Sequence, residues 1–442
     1  MVDGLIDRGI SIVSYACDGT EVEHSVQRLF LDLTSKREVK IHNPRQGSKP
    51  IVVEFGFYRS QAICMVQDSK HALKTMRNNL FSGACFLIFG NFPAMYIHIL
   101  EMAFEDGSPL YHRDVIKLDR QDDNAATQLF SAQTLEFLAN HHPDYIGIIV
   151  YLFVFGELVD AYQNRHITHS ERIKLVLRAR YFLDSWETYL SMCGYQKDHY
   201  FISREASDIL RIIIEGFIAL VIIHRDHVSK PSPLLPWLHS SEPCEHIFGE
   251  AHQIVKDFTF LDLVYMIPKL RLKLHEAVLR GRTSTNPKAR AAGYSHTYFD
   301  NEGLDLATLS HFPTDEEIDS ISGIAAQEAD SLITLLGVSP SRLHRSQGVS
   351  SSPWLLSINS WLSPDVDDIE ADDSDNESSC GEDDSDNHQL QKILDAKEES
   401  PFGRLHVTDI KCLSLTSAAL ALVVEESAVV YTYFFFGFQL HC

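Results

Sequence analysis

The hydrophobic period of this chain changes once, near residue 86, and any fold must accommodate both sides of that change. Before it, residues 10–16 form a β-branched apolar run leading into Cys17-Asp18-Gly19, residues 51–55 form a second, and residues 62–66 a third that leads into Gln67-Asp68. Runs of this length and composition read as buried strands that stop at turns. Thr20 has Glu23 three residues on, ahead of the apolar positions Val22, Val26, Leu29, Phe30 and Leu33, which is a capping box opening a helix. The rest of 19–60, including a polar stretch around Asn43 to Pro50, reads as helix and loop. From Ser69 a further helix places His71, Lys74 and Asn78 on one face. Beyond residue 86 long helical patterns take over, at 125–140, 145–163, 169–192 and 203–225, with few strand signals. The pattern predicts an α/β fold interrupted by a large, all-helical, separate block over 86–235.

A proline-rich break at 230–237 precedes a periodic helix over 242–281, with a break expected at Pro268. Residues 283–315 read as loop and 315–337 as one more helix. From about 339 the chain is serine-rich and then acidic, too poor in apolar surface to offset the entropy of ordering, so disorder is expected there. The expected organisation is therefore 1–85, 86–235, 236–282, a helical extension over 283–338, a disordered acidic linker over 339–400, and an apolar segment over 401–442. In that last segment the run from Tyr431 to Phe438 is an aggregation hazard wherever it is exposed.

Charge needs localising before it excludes anything. Sixty-one acidic against thirty-eight basic residues give −23, which argues against nucleic acid as a partner. Twelve of the carboxylates, however, fall between Asp365 and Asp386 without one Lys or Arg, and removing them leaves −11. In the opposite sense, 256–290 carries eight basic residues against three acidic ones, a window of +5. There Lys269, Arg271 and Lys273 alternate around Leu270, Leu272 and Leu274, which reads as a phosphate-contacting surface or an ordinary basic helix face. The acidic stretch would suit basic partners, and Ser374 and Ser379, each with Glu three residues on, resemble acidophilic kinase sites. Eight scattered cysteines without a Cys-x-x-Cys pair, and an N-terminus unlike a signal peptide, point to an intracellular protein, nuclear or cytoplasmic. Charges interrupt the apolar stretches at 209–223 and 413–440, so no membrane association is expected.

A strand ending in Asp-Gly puts a carboxylate at the carboxyl edge of a sheet, where α/β folds place their sites. Asp18 is so placed, and Asp68 repeats the arrangement ahead of His71, Lys74, Arg77 and Asn78, a helix start suited to phosphate. Each also has a bland reading, as a common turn and as a helix cap with a solvated face. Glu242 and Glu245 open the helix after the proline-rich break, where glutamate commonly serves the helix dipole.

Taken in order, Val13-Ser-Tyr-Ala-Cys-Asp-Gly19, Asp68-Ser-Lys-His-Ala-Leu-Lys-Thr-Met-Arg-Asn78 and Glu242-Pro-Cys-Glu-His-Ile-Phe-Gly249 resemble the transposase domain of P-element and THAP-type cut-and-paste transposases. That family has an hhxDG strand, a DxxHxxKxxRN segment and a DxxExxF helix, and the resemblance spans about residues 5–280. It implies a partial RNase H-like fold with a helical insertion domain, DNA as partner, and two Asp and one Glu holding two Mg2+ or Mn2+ ions. By motif match Asp18 corresponds to the Asp of the fourth strand and Glu245 to the catalytic Glu, with Asp68 a further metal ligand. Two such ions would activate the attacking oxygen and stabilise the leaving one, which calls for hard oxygen ligands. Relatives of the P element bind GTP through the insertion domain; here no Gly-x-x-x-x-Gly-Lys loop is present, so GTP rests on resemblance alone.

The family's first catalytic Asp lies on a strand meander upstream of the Asp18 strand, and here only nine residues precede Ile10. The expectation is a truncated, transposase-derived chain with an incomplete site, lacking three strands of its sheet. A different mapping makes Asp18 the first Asp and Asp68 the second, and requires a meander within 19–60. The alternative function is a non-catalytic nuclear protein that reuses the helical block for DNA or protein contacts; a second copy of the chain is a further partner expectation.

Overall fold

The computed structural model describes residues 2–347 except 8, 46, 83–85, 117–118, 229–231 and 282–303. The N-terminal elements are α1 (Val2–Ile6), β1 (Ser14–Cys17), α2 (Glu21–Asp32), β2 (Ser35–Ile41), β3 (Ile51–Tyr58), β4 (Gln61–Gln67) and α3 (Ser69–Ser82). A short hairpin follows, β5 (Leu87–Phe89) with β6 (Phe92–Ala94). Then come α4 (Tyr96–Ala103), α5 (His112–Ile116), α6 (Asp123–Leu129), α7 (Ala132–His141), α8 (Ile146–Gln163), α9 (His169–Cys193), α10 (Lys197–Tyr200) and α11 (Arg204–Asp226). The last are α12 (Glu242–Ile254), α13 (Phe260–Gly281), α14 (Asp315–Leu335) and α15 (Pro340–Gln347). The architecture is mixed α/β, mostly helical, with a small sheet.

Four strands form the main sheet in the order β1-β4-β3-β2. β2 corrects the expectation of helix and loop over 19–60: it pairs antiparallel with β3 from Ser35 opposite Phe57 to Ile41 opposite Ile51. It escaped a hydrophobicity reading because it is an edge strand, and only Ile41 is buried while Lys36, Arg37 and Glu38 face solvent. Charges there also discourage pairing with other chains. β3 returns to β4 through Arg59 and Ser60, both at positive φ (47° and 66°), as tight hairpins require. A three-strand meander is thus present, and it follows Asp18 in the chain. β1 then lies parallel to β4, from Ser14 opposite Cys64 to Cys17 opposite Gln67.

The β3–β4 ladder covers three residue pairs, from Gly56–Ile63 to Tyr58–Gln61. Past it, α11 comes against β4 so closely that a Cβ on Gly216 would lie 2.3 Å from the Met65 carbonyl oxygen. The helical block is therefore no separate domain. Val53 and Phe55 of β3, Cys64 and Val66 of β4, Met76 of α3, and apolar side chains of α8, α9, α11 and α14 form one continuous core. Nor is it all-helical, since β5 and β6 pair between Leu87 and Ala94 and between Phe89 and Phe92.

The predicted helices α8, α9 and α11 lie within a residue or so of the periodic patterns. The pattern at 125–140 divides into α6 and α7, because Asp122 and Ser131 each cap a new helix. The helix expected at 242–281 breaks between Ile254 and Phe260, and Pro268 lies inside α13. Residues 340–347, expected to be disordered, form α15, which seats Leu343 in the core. The acidic stretch, Ser374, Ser379 and the apolar segment at 401–442 lie outside the described residues. Among the described residues α8 alone is long and apolar enough to cross a membrane, and 89% of that span is buried within the protein.

Candidate functional site

Because β1 and β4 run parallel and end level, Asp18 and Asp68 leave the sheet side by side at its carboxyl edge. The Asp68 backbone N–H donates to the Cys17 carbonyl at 2.9 Å, and buried Gln67 donates its amide to the same oxygen at 3.1 Å. Gly19 stands at φ +96°, and a Cβ there would meet Gln67 Nε2 at 2.7 Å, so both conformation and space select glycine after Asp18. The Asp18 N–H donates to Glu23 Oε2 at 3.0 Å, tying the turn to the capping box that the sequence predicts on α2. Asp18 Oδ1 is buried without a hydrogen-bond partner among the described residues.

Glu245 reaches this edge from α12. Asp68 Oδ2 accepts the backbone N–H of Ser241 at 3.1 Å and its hydroxyl at 3.0 Å, and the same hydroxyl lies 3.2 Å from Glu245 Oε1. Partial burial raises the Glu245 carboxyl above its ordinary range, and the negative charges of Asp68 and Asp18 push it further; Ser241 and Lys74 act the other way. Burial, Glu245 and Asp18 likewise raise the neighbouring Cys244 thiol. The structure thus brings together Asp18, Asp68 and Glu245, which the sequence offered separately.

Two anchors fix the approach of α12. Trp237 is buried in the turn Pro236–Leu238, with the guanidinium groups of Arg165 and Arg172 5.2 and 5.9 Å from its ring. His239 shares a 2.7 Å hydrogen bond with the Ser14 hydroxyl of β1. The His239 ring meets that of His224, neither of whose nitrogens has a hydrogen-bond partner among the described residues. Burial lowers His239 to about 3, and His224 and His169 to about 4 each, against 6.5 for an exposed imidazole. Between these limits the three rings bind more protons in the unfolded chain than in the folded one, while buried Asp160, raised to about 7, acts in the opposite sense for a single group. The contribution of the three rings is therefore complete above the ordinary imidazole range and falls as pH drops toward 4, by up to about 1.4 kcal/mol per pH unit for each ring. Urea midpoints at neutral pH and near pH 5 should show that loss, and His224→Phe should flatten the slope; a midpoint unchanged by acid would refute the buried, neutral assignment.

The oxygen donors suit a hard divalent ion in kind, and Asp18 Oδ1 has no hydrogen-bond partner among the described residues. Asp68 is otherwise committed: Oδ1 accepts the N–H groups of Lys70 (2.8 Å) and His71 (3.1 Å) at the start of α3, and Oδ2 holds Ser241. Among the described residues no three Asp, Glu, His or Cys side chains are arranged to share a metal ion. As arranged, these carboxylates do not fit the two-ion centre that the motif resemblance implies.

The DxxHxxKxxRN segment also serves the fold more than a ligand. Arg77, expected to face phosphate, is buried and donates to the carbonyls of Asp119 (2.9 Å) and Asp114 (2.8 Å) while lying over the Phe81 ring. Asn78 donates to the Arg120 carbonyl at 3.3 Å. Arg77 thus ties Asp114 and Asp119 to α3 and Asn78 ties Arg120 to it, so the donors that the motif offers to phosphate serve the fold. Lys74 pairs with Asp123 at 3.0 Å, and His71 is half-buried in the first turn of α3. On α13, Lys273 is engaged by Glu250 (2.6 Å) and Gln253 (3.2 Å), which removes it from the expected DNA surface. Lys269 and Arg271 are exposed, among the exposed apolar residues Tyr265, Ile267 and Leu272.

Sequence reasoning missed Ser241, Gln67 and Trp237. A Ser-Ser pair ahead of Glu-Pro is a readable helix start, whereas nothing in the sequence links Ser241 to Asp68. No family model, curated protein or solved structure matches the chain.

Proposed function

We propose that this chain is a transposase-derived protein, related to the P-element and THAP-type cut-and-paste enzymes, that retains the acidic corner of their site without a working metal cage and does not itself cut or join DNA. The observation behind this reading is the meeting of Asp18, Asp68 and Glu245 at one sheet edge, from segments far apart in the chain. Burial, and after it the gathered charges of Asp68 and Asp18, raise Glu245 and oppose folding, so the arrangement points to chemistry more than to stability. A meander beside a parallel strand, with carboxylates at the parallel ends, supports an RNase H-like ancestry. The commitment of Asp68 to α3 and Ser241 is what argues against strand transfer. DNA is accordingly the ancestral substrate in this reading, and the α13 cations carry no part of it.

A direct assay is cleavage and joining of labelled DNA by the full chain with Mg2+ or Mn2+, beside Asp68→Asn and Glu245→Gln. The expected result is no activity above that of the two variants, and no calorimetric Mn2+ binding tighter than about 1 mM, the weak end of binding sites. Metal-dependent cleavage abolished by either variant would overturn the proposal and restore an enzyme.

A further inference from the structure

Two helices carry apolar stripes on their outer faces. On α2, Val22 (73% exposed), Val26, Leu29 (66%) and Leu33 point to solvent; on α13, Leu261, Tyr265 (76%), Pro268 and Leu272 (70%) do the same. Both stripes advance in steps of four, three and four residues, the spacing of a coiled-coil seam. Neither belongs to the core of its own helix. The inner face of α2 seats Leu31 against Met65 and Ile212, and the inner face of α13 seats Met266 and Leu270 against Ala251 of α12. Apolar side chains aligned in this way on an outer face mark an interaction surface.

We infer that the α2 stripe of one copy of this chain pairs with the α13 stripe of a second copy. Charge selects that partner. The rim of the α2 stripe carries Glu23 and Asp32, while that of α13 carries Asp262 near its start and exposed Lys269 and Arg271 further along, a basic balance. Pairing α2 with another α2 sets acid against acid, and pairing α13 with another α13 sets two net-basic rims together, whereas the crossed pair sets a net-acidic rim against a net-basic one. A twofold axis makes the crossed contact twice, once in each direction, and so closes a dimer with no stripe left over. Lys269 and Arg271, two of the three cations that could have read as a phosphate-contacting surface, then border a protein seam.

Sedimentation velocity on the full chain across the micromolar range tests this, with Leu29→Glu, Tyr265→Glu and their mixture. Both positions are exposed, so the variants should keep the wild-type circular dichroism spectrum, and the wild-type urea midpoint when all are compared at concentrations low enough to be monomeric. Wild type is expected to dimerise, and each variant alone to weaken dimerisation at least about tenfold. Mixing the two variants should recover association, because a mixed dimer contains one intact seam, formed by α2 of the Tyr265→Glu chain and α13 of the Leu29→Glu chain. A monomer at all concentrations, a dimer indifferent to both variants, or one sensitive to a single variant and not rescued by mixing would each overturn the proposal.

Discussion

Gly216→Ala will destabilise the protein by about 1–3 kcal/mol, the usual cost of forcing atoms into a packed interior. The added methyl would stand 2.3 Å from the Met65 carbonyl oxygen, and that oxygen belongs to backbone, which cannot rotate aside as a side chain would. Either α11 lifts from β4 or the end of the strand moves, and the latter displaces Asp68 from its level with Asp18. The urea midpoint should fall accordingly. An unchanged midpoint would mean that α11 does not rest on β4 in solution.

One residue earlier on the same helix, Glu215→Ala should cost about 3–5 kcal/mol, the range for removing one partner of a buried ion pair. Glu215 Oε1 and Arg180 Nη1 are 3.2 Å apart, with both side chains almost wholly out of water, and the substitution leaves a guanidinium there without that carboxylate. The paired change Glu215→Leu with Arg180→Met should recover most of the loss, because both desolvated charges go together. A double variant no more stable than Glu215→Ala would show that the pair does more than neutralise itself.

The long helices were legible because α8, α9 and α11 repeat apolar residues over many turns, and the α2 cap because Thr20 and Glu23 act locally. What escaped was whatever depends on neighbours. β2 is polar since it is an edge strand that meets the core only at its end, through Val39 and Ile41, and α11 reads as one helix of an independent bundle until Gly216 is seen against β4. At the site, Asp18 and Asp68 could each be read as the end of a strand, yet their adjacency depends on a parallel register that no local pattern encodes. Arg77 shows the opposite failure: its motif suggests a ligand, whereas its donors are spent on two carbonyls of the fold.

The loop between β2 and β3 bears on how the chain is made. Arg45 pairs with Asp184 of α9 and Asp330 of α14, and the His42 carbonyl accepts the Ser322 hydroxyl. The early strands therefore wait for partners synthesised nearly a full domain later, and contacts so distant in sequence are slow to form. A ribosome paused before α14 would hold a chain whose Arg45 still lacks Asp330 and whose His42 carbonyl still lacks Ser322, so the loop's burial is completed only once α14 arrives. Release from that state should come late in translation and all at once.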